Sequence, residues 1–206
     1  MSNNLPPLAQ RIRPNTLNEF IGQKNILHEH SLILQSVLSK QPFSVIFWGP
    51  PGSGKTTLIR ILSNEFNIEF YEISAVSSGV KEIRVVLEKS NNLFDLGKKS
   101  ILFIDEIHRF SKSQQDVLLH AIEEGKIILM GATTENPSFE ITSPLLSRCQ
   151  VIKLDYLNVE DLKLVISRAL KEDILLSNRK INITDEVISL LINVSGGDSR
   201  KMLNIL

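Results

Sequence analysis

Short apolar runs separated by amphipathic stretches predict a sheet of five strands. Ile101–Ile104 contains four apolar residues in a row, which is too short for a helix and suits a strand covered on both faces. Ser44–Trp48 is a similar run that ends in a turn rich in glycine and proline. The five predicted strands are Ser44–Trp48, Glu69–Ser74, Ile101–Ile104, Ile127–Met130 and Cys149–Leu154.

Apolar residues that recur every three or four positions predict helices between and after these strands. Strands and helices alternate as far as Asn158, which indicates a parallel sheet with helices on both faces. Beyond Asn158 only helices are predicted. We therefore expect an α/β core at residues 25–157 and a helical appendage at residues 158–206. The predicted helices are Leu27–Ser39, Gly54–Leu62, Val80–Leu96, Ser113–Glu124, Glu160–Lys171, Asp185–Val194 and a last one that opens at Gly196-Gly197-Asp198.

The composition is that of an ordinary globular domain. Of the 206 residues, 42% are hydrophobic and 22% are charged, which allows a sizeable core. Lysine plus arginine and aspartate plus glutamate each count 23, so the formal net charge is zero. The chain therefore lacks the strong basic excess of many nucleic-acid binders. This weakens the case for DNA binding without excluding it, because a local basic patch can exist within a neutral total.

Cysteine content and hydropathy restrict the class of protein further. Cys149 is the only cysteine, so neither an intrachain disulfide nor a cysteine-based zinc site can form. No run approaches the roughly 20 apolar residues that cross a membrane. Residues 1–13 also lack the apolar stretch of a signal peptide. We expect a cytoplasmic protein with no membrane partner.

The segment from Gly49 to Thr56 predicts a phosphate-binding loop. Its sequence, Gly49-Pro50-Pro51-Gly52-Ser53-Gly54-Lys55-Thr56, matches G-x-x-x-x-G-K-[ST] at every fixed position. Glycines let backbone N–H groups turn toward phosphate oxygens, and the following helix, with Thr57 in its first turn, presents its positive end to the same anion. Lys55 is expected to reach the β- and γ-phosphates of ATP, and Thr56 to bind Mg2+. A chance glycine-proline turn is the alternative, but the strand before it and the helix after it favour the functional reading.

Two carboxylates follow the predicted strand Ile101–Ile104. Ligands gather beyond the carboxyl ends of the strands in an open α/β sheet, so Asp105 is expected near the phosphate loop as a Mg2+ ligand through water. Glu106 is the candidate to orient and deprotonate the attacking water. A solvated acidic turn is the alternative. His108 completes a D-E-x-H string of the kind seen in helicase motors, and we assign it no catalytic role.

Further motifs resemble those of the AAA+ class of ring-forming ATPases. Gly131-Ala132-Thr133-Thr134 resembles sensor 1, which implies that Thr134 lies near the γ-phosphate. Ser147-Arg148-Cys149 resembles the clamp-loader element whose arginine enters the neighbouring subunit's site. Gly197-Asp198-Ser199-Arg200 resembles sensor 2, which implies that Arg200 reaches back from a helical lid. Arg13-Pro14 and Phe20-Ile21-Gly22-Gln23 resemble the segment that borders adenine, so Ile21, Gly22 and residues 1–24 are expected beside the base.

Within this class the chain resembles the replication-associated recombination protein A family, which is related to the Werner-interacting ATPase of eukaryotes. The resemblance spans nearly the whole chain and is most specific at Gly131–Phe139 (GATTENPSF). Other shared stretches are Pro7-Leu8-Ala9-Gln10-Arg11, Ser74-Ala75-Val76-Ser77-Ser78-Gly79-Val80-Lys81 and Asp105-Glu106-Ile107-His108-Arg109-Phe110. Family members continue past the position of Leu206, so we expect residues 158–206 to form a partial lid.

The resemblance implies a DNA-dependent ATPase that works as a homo-oligomer at stalled or gapped replication forks, on DNA ends or on single-strand/double-strand junctions, with replication-fork proteins as further partners. The alternatives are a clamp-loader subunit or a Holliday-junction branch-migration motor. A nucleotide-binding scaffold with little turnover is the alternative of another class.

An arginine finger at Arg148 would raise turnover by about 10³–10⁵-fold. An exposed strand-edge arginine is the simpler interpretation of that residue.

Lys81 and Arg84 are candidate DNA contacts, because they lie near the start of a predicted helix that follows a Ser-Ser-Gly loop. Basic side chains at a helix N-terminus can hold a backbone phosphate of DNA. A solvated helix face, with Glu82 and Glu88 balancing the charges, is an equally good interpretation.

Overall fold

Five parallel strands form one sheet in the computed structural model, which describes residues 5–179 and 181–206. The strand order is β2-β3-β4-β1-β5, so β1 lies between two strands that follow it much later in the chain. The chain connections therefore leave β1 toward opposite sides of the sheet. The loop after β1 lies at this switch point, where ligands bind in open α/β sheets. The strands are β1 Val45–Trp48, β2 Glu69–Ser74, β3 Ser100–Asp105, β4 Ile128–Thr133 and β5 Gln150–Lys153.

Helices fill the segments between and after the strands, as the hydrophobic spacing predicts. They are α1 Leu8–Arg11, α2 Leu32–Leu38, α3 Lys55–Phe66, α4 Val80–Asp95, α5 Lys112–Glu123, α6 Pro137–Glu140, α7 Ser143–Leu146, α8 Val159–Glu172, α9 Asp185–Ser195 and α10 Ser199–Ile205. Short 3-10 helices lie at Leu17–Glu19, Ile107–Arg109 and Ser177–Arg179. The predicted α/β fold with a parallel sheet is confirmed. In the part of the chain that the structure describes, no helix is both long and apolar enough to span a bilayer.

The predicted helix Leu27–Ser39 is wrong at its start. Helix α2 begins at Leu32, where the Ser31 hydroxyl accepts a hydrogen bond from the Leu34 N–H at 3.2 Å and caps the helix. Leu27 lies in the preceding turn and packs against the core from there. Its hydrophobicity therefore reflects burial of a turn residue, which helical spacing alone cannot distinguish from burial of a helical one.

Strand β4 continues three residues beyond the predicted end at Met130, through Gly131 to Thr133. Gly131 fits inside the strand because a Cβ atom there would lie 3.3 Å from Ile107 and 3.4 Å from Ile46. A glycine that usually weakens a strand is used here for close packing. The extension carries Thr133 to the edge of the sheet where β1 and β3 also end.

Each face of the sheet buries one set of alternating strand residues against helices. Ile46, Leu102, Ile104 and Leu129 face helices α4 and α5, while their chain neighbours face helix α3 on the opposite side. The residues of the α3 side include Val45, Phe47, Ile101, Phe103, Met130, Leu58, Ile59 and Leu62. Burial on both faces explains why the strands are nearly continuous apolar runs.

Helices α8–α10 form a smaller cluster that also holds the N-terminal segment. Ile12 packs with Ala169 and Leu203 of this cluster. The Arg11 guanidinium donates to both carboxylate oxygens of Asp173, at 2.6 and 3.0 Å, and the Asp173 side chain is fully buried. This pairing, supported by two backbone N–H groups, lowers the pKa of Asp173. The N-terminal segment is thereby tied to helices α8–α10, which correspond to the predicted lid.

Candidate active site

The phosphate loop runs from the end of β1 to the start of α3. Gly52 and Gly54 adopt left-handed backbone angles, with φ of 73° and 99°, which residues with side chains rarely adopt. The Lys55 side chain folds back into the loop, and its Nζ donates to the carbonyl oxygens of Gly49 and Pro50 at 2.7 and 2.8 Å. The ammonium group is thus held in the concavity of the loop, where a phosphate group would be expected.

Several polar atoms of this loop fit a bound phosphate chain. The Ser53 side chain is buried, and its Oγ has no hydrogen-bond partner among the described residues. The backbone N–H groups of Gly52, Gly54 and Lys55 donate to no backbone carbonyl within 5–179 and 181–206. Buried polar groups are seldom left unpaired in a folded protein. Orphan donors around a lysine at a helix N-terminus are suited to an anion with several oxygens.

Burial and neighbouring charges shift the pKa values of Lys55 and Asp105. Burial lowers the pKa of the Lys55 ammonium, whereas the nearby carboxylates of Glu106 and Asp105 raise it. Burial also raises the pKa of Asp105, and the charge of Glu106 raises it further. A lysine and two carboxylates therefore lie close together at the carboxyl end of the sheet.

Asp105 and Glu106 leave strand β3 in different conformations. Asp105 is the last residue of the strand, and Glu106 turns sharply with a φ of 54°, which is unusual for a residue other than glycine. This turn brings the Glu106 carboxylate to the side chains at the end of β4. Its Oε2 accepts from the Thr134 hydroxyl at 3.4 Å and lies 3.2 Å from Nδ1 of His108.

The described residues contain no group of three or more histidine, cysteine, aspartate or glutamate side chains placed to hold a metal ion. Mg2+ keeps several waters and is usually bound by one or two carboxylates together with substrate phosphates. Thr56 and Asp105 both line the same cavity as Lys55. They are the residues of this site that would hold the ion beside a nucleotide.

One cavity brings most of the predicted site residues together. It lies between the phosphate loop, the N-terminal segment and the lid helices. The predicted residues that line it are Ile21, Pro51, Gly52, Ser53, Gly54, Lys55, Thr56, Thr57, Asp105, Glu106, Thr134 and Arg200. Gly22, Gly49 and Pro50 are not among the lining residues. A Cβ atom on Gly49 would overlap the carbonyl oxygen of Leu154, and one on Gly22 would lie 2.6 Å from Leu157. These two glycines permit close packing behind the cavity.

Several lining residues were not assigned as site residues from the sequence. Phe20 lies against the phosphate loop, since a Cβ atom on Gly54 would come within 2.7 Å of its ring. Arg13 is half-buried, and desolvation together with the charges of Arg60 and Arg200 lowers its pKa. Arg168 and Leu203 reach the cavity from helices α8 and α10. The sequence does point to Phe20 and Arg13, because both lie in the strings that resemble the segment bordering adenine. No motif in the sequence points to Arg168 or Leu203.

The lid touches the phosphate loop directly. The Ser199 hydroxyl at the start of α10 donates to the Gly52 carbonyl oxygen at 2.7 Å. Asp198 caps the same helix by accepting from the backbone N–H groups of Arg200 and Lys201. Arg200 therefore lies in the first turn of a helix that is anchored to the loop. Its exposed side chain lines the cavity.

Arg148 lies outside this cavity. Its guanidinium pairs with Glu123 at the end of α5 at 2.6 Å, and it also donates to the Ser147 hydroxyl at 2.6 Å. Both members of the pair are about two-fifths exposed, at 43% and 41% of the side-chain area. Within one chain Arg148 is thus separate from Lys55 and Glu106, and it is presented at the surface.

Lys81 and Arg84 are both exposed on the first turns of α4. Neither forms an ion pair with another residue in the described part of the chain. Glu82 between them accepts a hydrogen bond from the Gly79 N–H at 2.8 Å, so its carboxylate is engaged at the helix start. The two basic side chains remain accessible to an external anion.

Comparison with protein families gives one match over most of the chain. Residues 12–150 match the family described as the Holliday junction DNA helicase RuvB P-loop domain. Among solved structures, the Thermotoga maritima RuvB Holliday junction branch migration motor is similar, with a TM-score of 0.76 and 32% sequence identity. That similarity covers 95% of this chain and 64% of the other.

Curated proteins match over nearly all of the chain. ATPase WRNIP1 of Dictyostelium discoideum is 47% identical over 200 residues, covering 97% of this chain and 23% of the relative. Replication-associated recombination protein A of Escherichia coli K12 is 42% identical over 205 residues, covering 99% of this chain and 46% of the relative. The chain thus spans less than half the length of these two relatives.

Proposed function

The chain belongs to the family of the Holliday junction DNA helicase RuvB P-loop domain, with the AAA+ fold, and from that premise we propose that it is a DNA-dependent, Mg2+-requiring ATPase. The observation that carries the proposal is the convergence of Lys55, Asp105, Glu106 and Thr134 in one cavity at the carboxyl ends of the strands. A nucleotide-binding loop alone would not need the acidic pair beside it.

Five residues of the cavity have a chemical task in this proposal. Lys55 and the N–H groups of the loop bind the β- and γ-phosphates and neutralise their charge. Thr56 and Asp105 would hold Mg2+, which would offset the negative charge that develops on the transferring phosphoryl group. Glu106 orients the attacking water and accepts its proton. Thr134 donates to the Glu106 carboxylate and keeps it close to the γ-phosphate.

Arg148 completes the site of a neighbouring subunit in this proposal. Its distance from its own cavity and its exposure on the surface support this role, because a finger must reach outside its own chain. A finger is worth about 10³–10⁵ in turnover. Arg200 acts from the lid of the same chain, where α10 is anchored to the phosphate loop. Hydrolysis should therefore depend on assembly of copies around a ring.

The DNA-dependent work proposed for this ATPase is remodelling of stalled or gapped replication forks. Support comes from the 42% identity to replication-associated recombination protein A and the 47% identity to WRNIP1. Lys81 and Arg84 are the proposed phosphate contacts, because both are exposed and without an ion pair in the described residues. Branch migration of Holliday junctions is the second candidate, and the similarity in fold and sequence to RuvB favours it.

Steady-state ATP hydrolysis at increasing protein concentration tests this proposal, with and without forked DNA. We expect the rate per chain to rise with concentration and with DNA, and Glu106→Gln and Arg148→Ala to abolish it. A four-way junction in place of the fork distinguishes the two candidate substrates. If nucleotide binds but the rate stays flat and near zero under all conditions, the chain is a nucleotide-binding scaffold and the proposal is wrong.

A further inference from the structure

His108 makes contacts that link the two polar elements of the site. It lies on the short 3-10 helix after β3, between the acidic pair and helix α5. Its Nδ1 is 2.9 Å from the Thr133 hydroxyl, at the end of β4, and 3.2 Å from Oε2 of Glu106. The His108 side chain is only 13% exposed, so these contacts form largely away from solvent.

The chemistry of these partners determines the direction of the hydrogen bonds. An ionised carboxylate can only accept, so contact with Glu106 requires a proton on Nδ1 of His108. The Thr133 hydroxyl accepts from the Glu135 N–H at 3.0 Å and can donate its own proton to the Glu135 carbonyl oxygen at 3.4 Å. Its second lone pair is left for His108. With the proton on Nδ1, His108 donates to the Thr133 hydroxyl at 2.9 Å, and the same N–H lies beside Oε2 of Glu106 at 3.2 Å.

We propose that His108 is a positioning residue that holds the Glu106 carboxylate through Nδ1 and is itself oriented by Thr133. This inference rests on the proposed role of Glu106 as the base. His108 and Thr134 both contact Oε2, so Oε1 is the oxygen that remains available to a water molecule. The carboxylate needs such support because Glu106 leaves the strand in a left-handed conformation and is 32% exposed.

Packing of the neighbouring residue Ile107 holds the 3-10 helix against strand β4. Ile107, fully buried, lies against Gly131 of β4, where a Cβ atom would come within 3.3 Å of it. The 3-10 helix that carries His108 is thus fixed to the same strand that carries Thr133. A displacement of about 1 Å in a catalytic group can cost roughly 10²-fold in rate, so the support of Glu106 should be visible in turnover.

The kinetic test compares His108→Ala, His108→Asn and His120→Ala in the full chain. His108→Ala should lower kcat by about 10–100-fold and leave KM within about twofold, because ATP binding does not use Glu106. His108→Asn should recover most of the loss, since its amide nitrogen can replace Nδ1–H. His120 is an exposed histidine of α5 that pairs with Glu124, and its alanine variant should match the wild type.

A second measurement does not depend on turnover. In ¹⁵N-labelled protein, both Glu106→Gln and Thr133→Val should shift the imidazole Nδ1 resonance of His108, while that of His120 stays in place. If the wild type fails to hydrolyse ATP, the proposed function fails, and the resonance still decides the His108 contact. The inference is overturned if His108→Ala turns over like an active wild type. It is also overturned if neither substitution moves the His108 resonance.

Discussion

Gly52→Ala should uncouple the lid from the phosphate loop. Gly52 has a φ of 73°, and an alanine methyl there would lie 2.7 Å from the Ser199 nitrogen and 2.9 Å from Cα of Asp198. It would also overlap the Asp198 carboxylate. The left-handed conformation adds a local penalty of about 1–2 kcal/mol for a residue with a Cβ atom. The start of α10 must therefore move away, or the loop must change shape.

The contact between Gly52 and the start of α10 sets the size of the loss in stability. Restoring ordinary contact requires the start of α10 to retreat by roughly 0.7 Å, which breaks the 2.7 Å hydrogen bond from Ser199 to Gly52. Loss of that bond is worth about 1 kcal/mol. Gly52→Ala should thus destabilise the chain by about 2–3 kcal/mol in all, which is the sum of backbone strain and lost lid contact.

Gly125→Ala is the matched control, because Gly125 has the same φ of 73° but its nearest neighbour to a Cβ atom lies 3.9 Å away. Each kcal/mol lowers the midpoint of thermal unfolding by about 2–4 °C at this chain length. Gly52→Ala should therefore unfold about 2–4 °C below Gly125→Ala and bind a fluorescent ATP analogue at least about tenfold more weakly. Equal midpoints and wild-type affinity in both variants would refute the proposed contact between lid and loop.

Two further predictions concern stability and reactivity. Asp173→Asn should cost about 2–4 kcal/mol in urea unfolding at pH 7, because it leaves Arg11 without its buried partner. The pKa of Asp173 is lower in the folded chain than its value of about 3.9 in the unfolded chain, so the ionised carboxylate stabilises the fold above about pH 4. The loss of unfolding free energy in Asp173→Asn should therefore shrink as the pH falls below about 4. A loss that does not depend on pH would contradict this. Burial raises the pKa of the Cys149 thiol to about 12, so a disulfide reagent at pH 8 should label native protein at least about 100-fold more slowly than urea-unfolded protein. Equal labelling rates would place this thiol at the surface.

Motifs that are local in the chain could be predicted from the sequence. The phosphate loop needs only the strand before it and the helix after it, and both lie within a few residues of Gly49–Thr56. The acidic pair at Asp105 and Glu106 likewise follows a strand that is visible as an apolar run. Their meeting in one cavity follows from the parallel sheet, because the carboxyl ends of its strands lie at one edge.

Contacts between distant segments could not be predicted. Arg11 and Asp173 are 162 positions apart, and nothing in either local pattern marks them as partners. The contacts of His108 could not be predicted either, because they depend on the extension of β4 through Gly131 to Thr133. The ion pair between Arg148 and Glu123, which lies outside the cavity, likewise depends on the packing of α7 against α5. That packing is not visible in the sequence.

The proposed active site takes Glu106 from one chain and Arg148 from its neighbour. The most direct test mixes Glu106→Gln and Arg148→Ala proteins, each inactive alone, and measures ATP hydrolysis with forked DNA. In random rings about one site in four joins an intact Glu106 to an intact Arg148, so about a quarter of wild-type turnover should return on mixing. If both variants are inactive alone and the mixture is inactive too, although the chains exchange, Arg148 does not act across the interface and the account is contradicted.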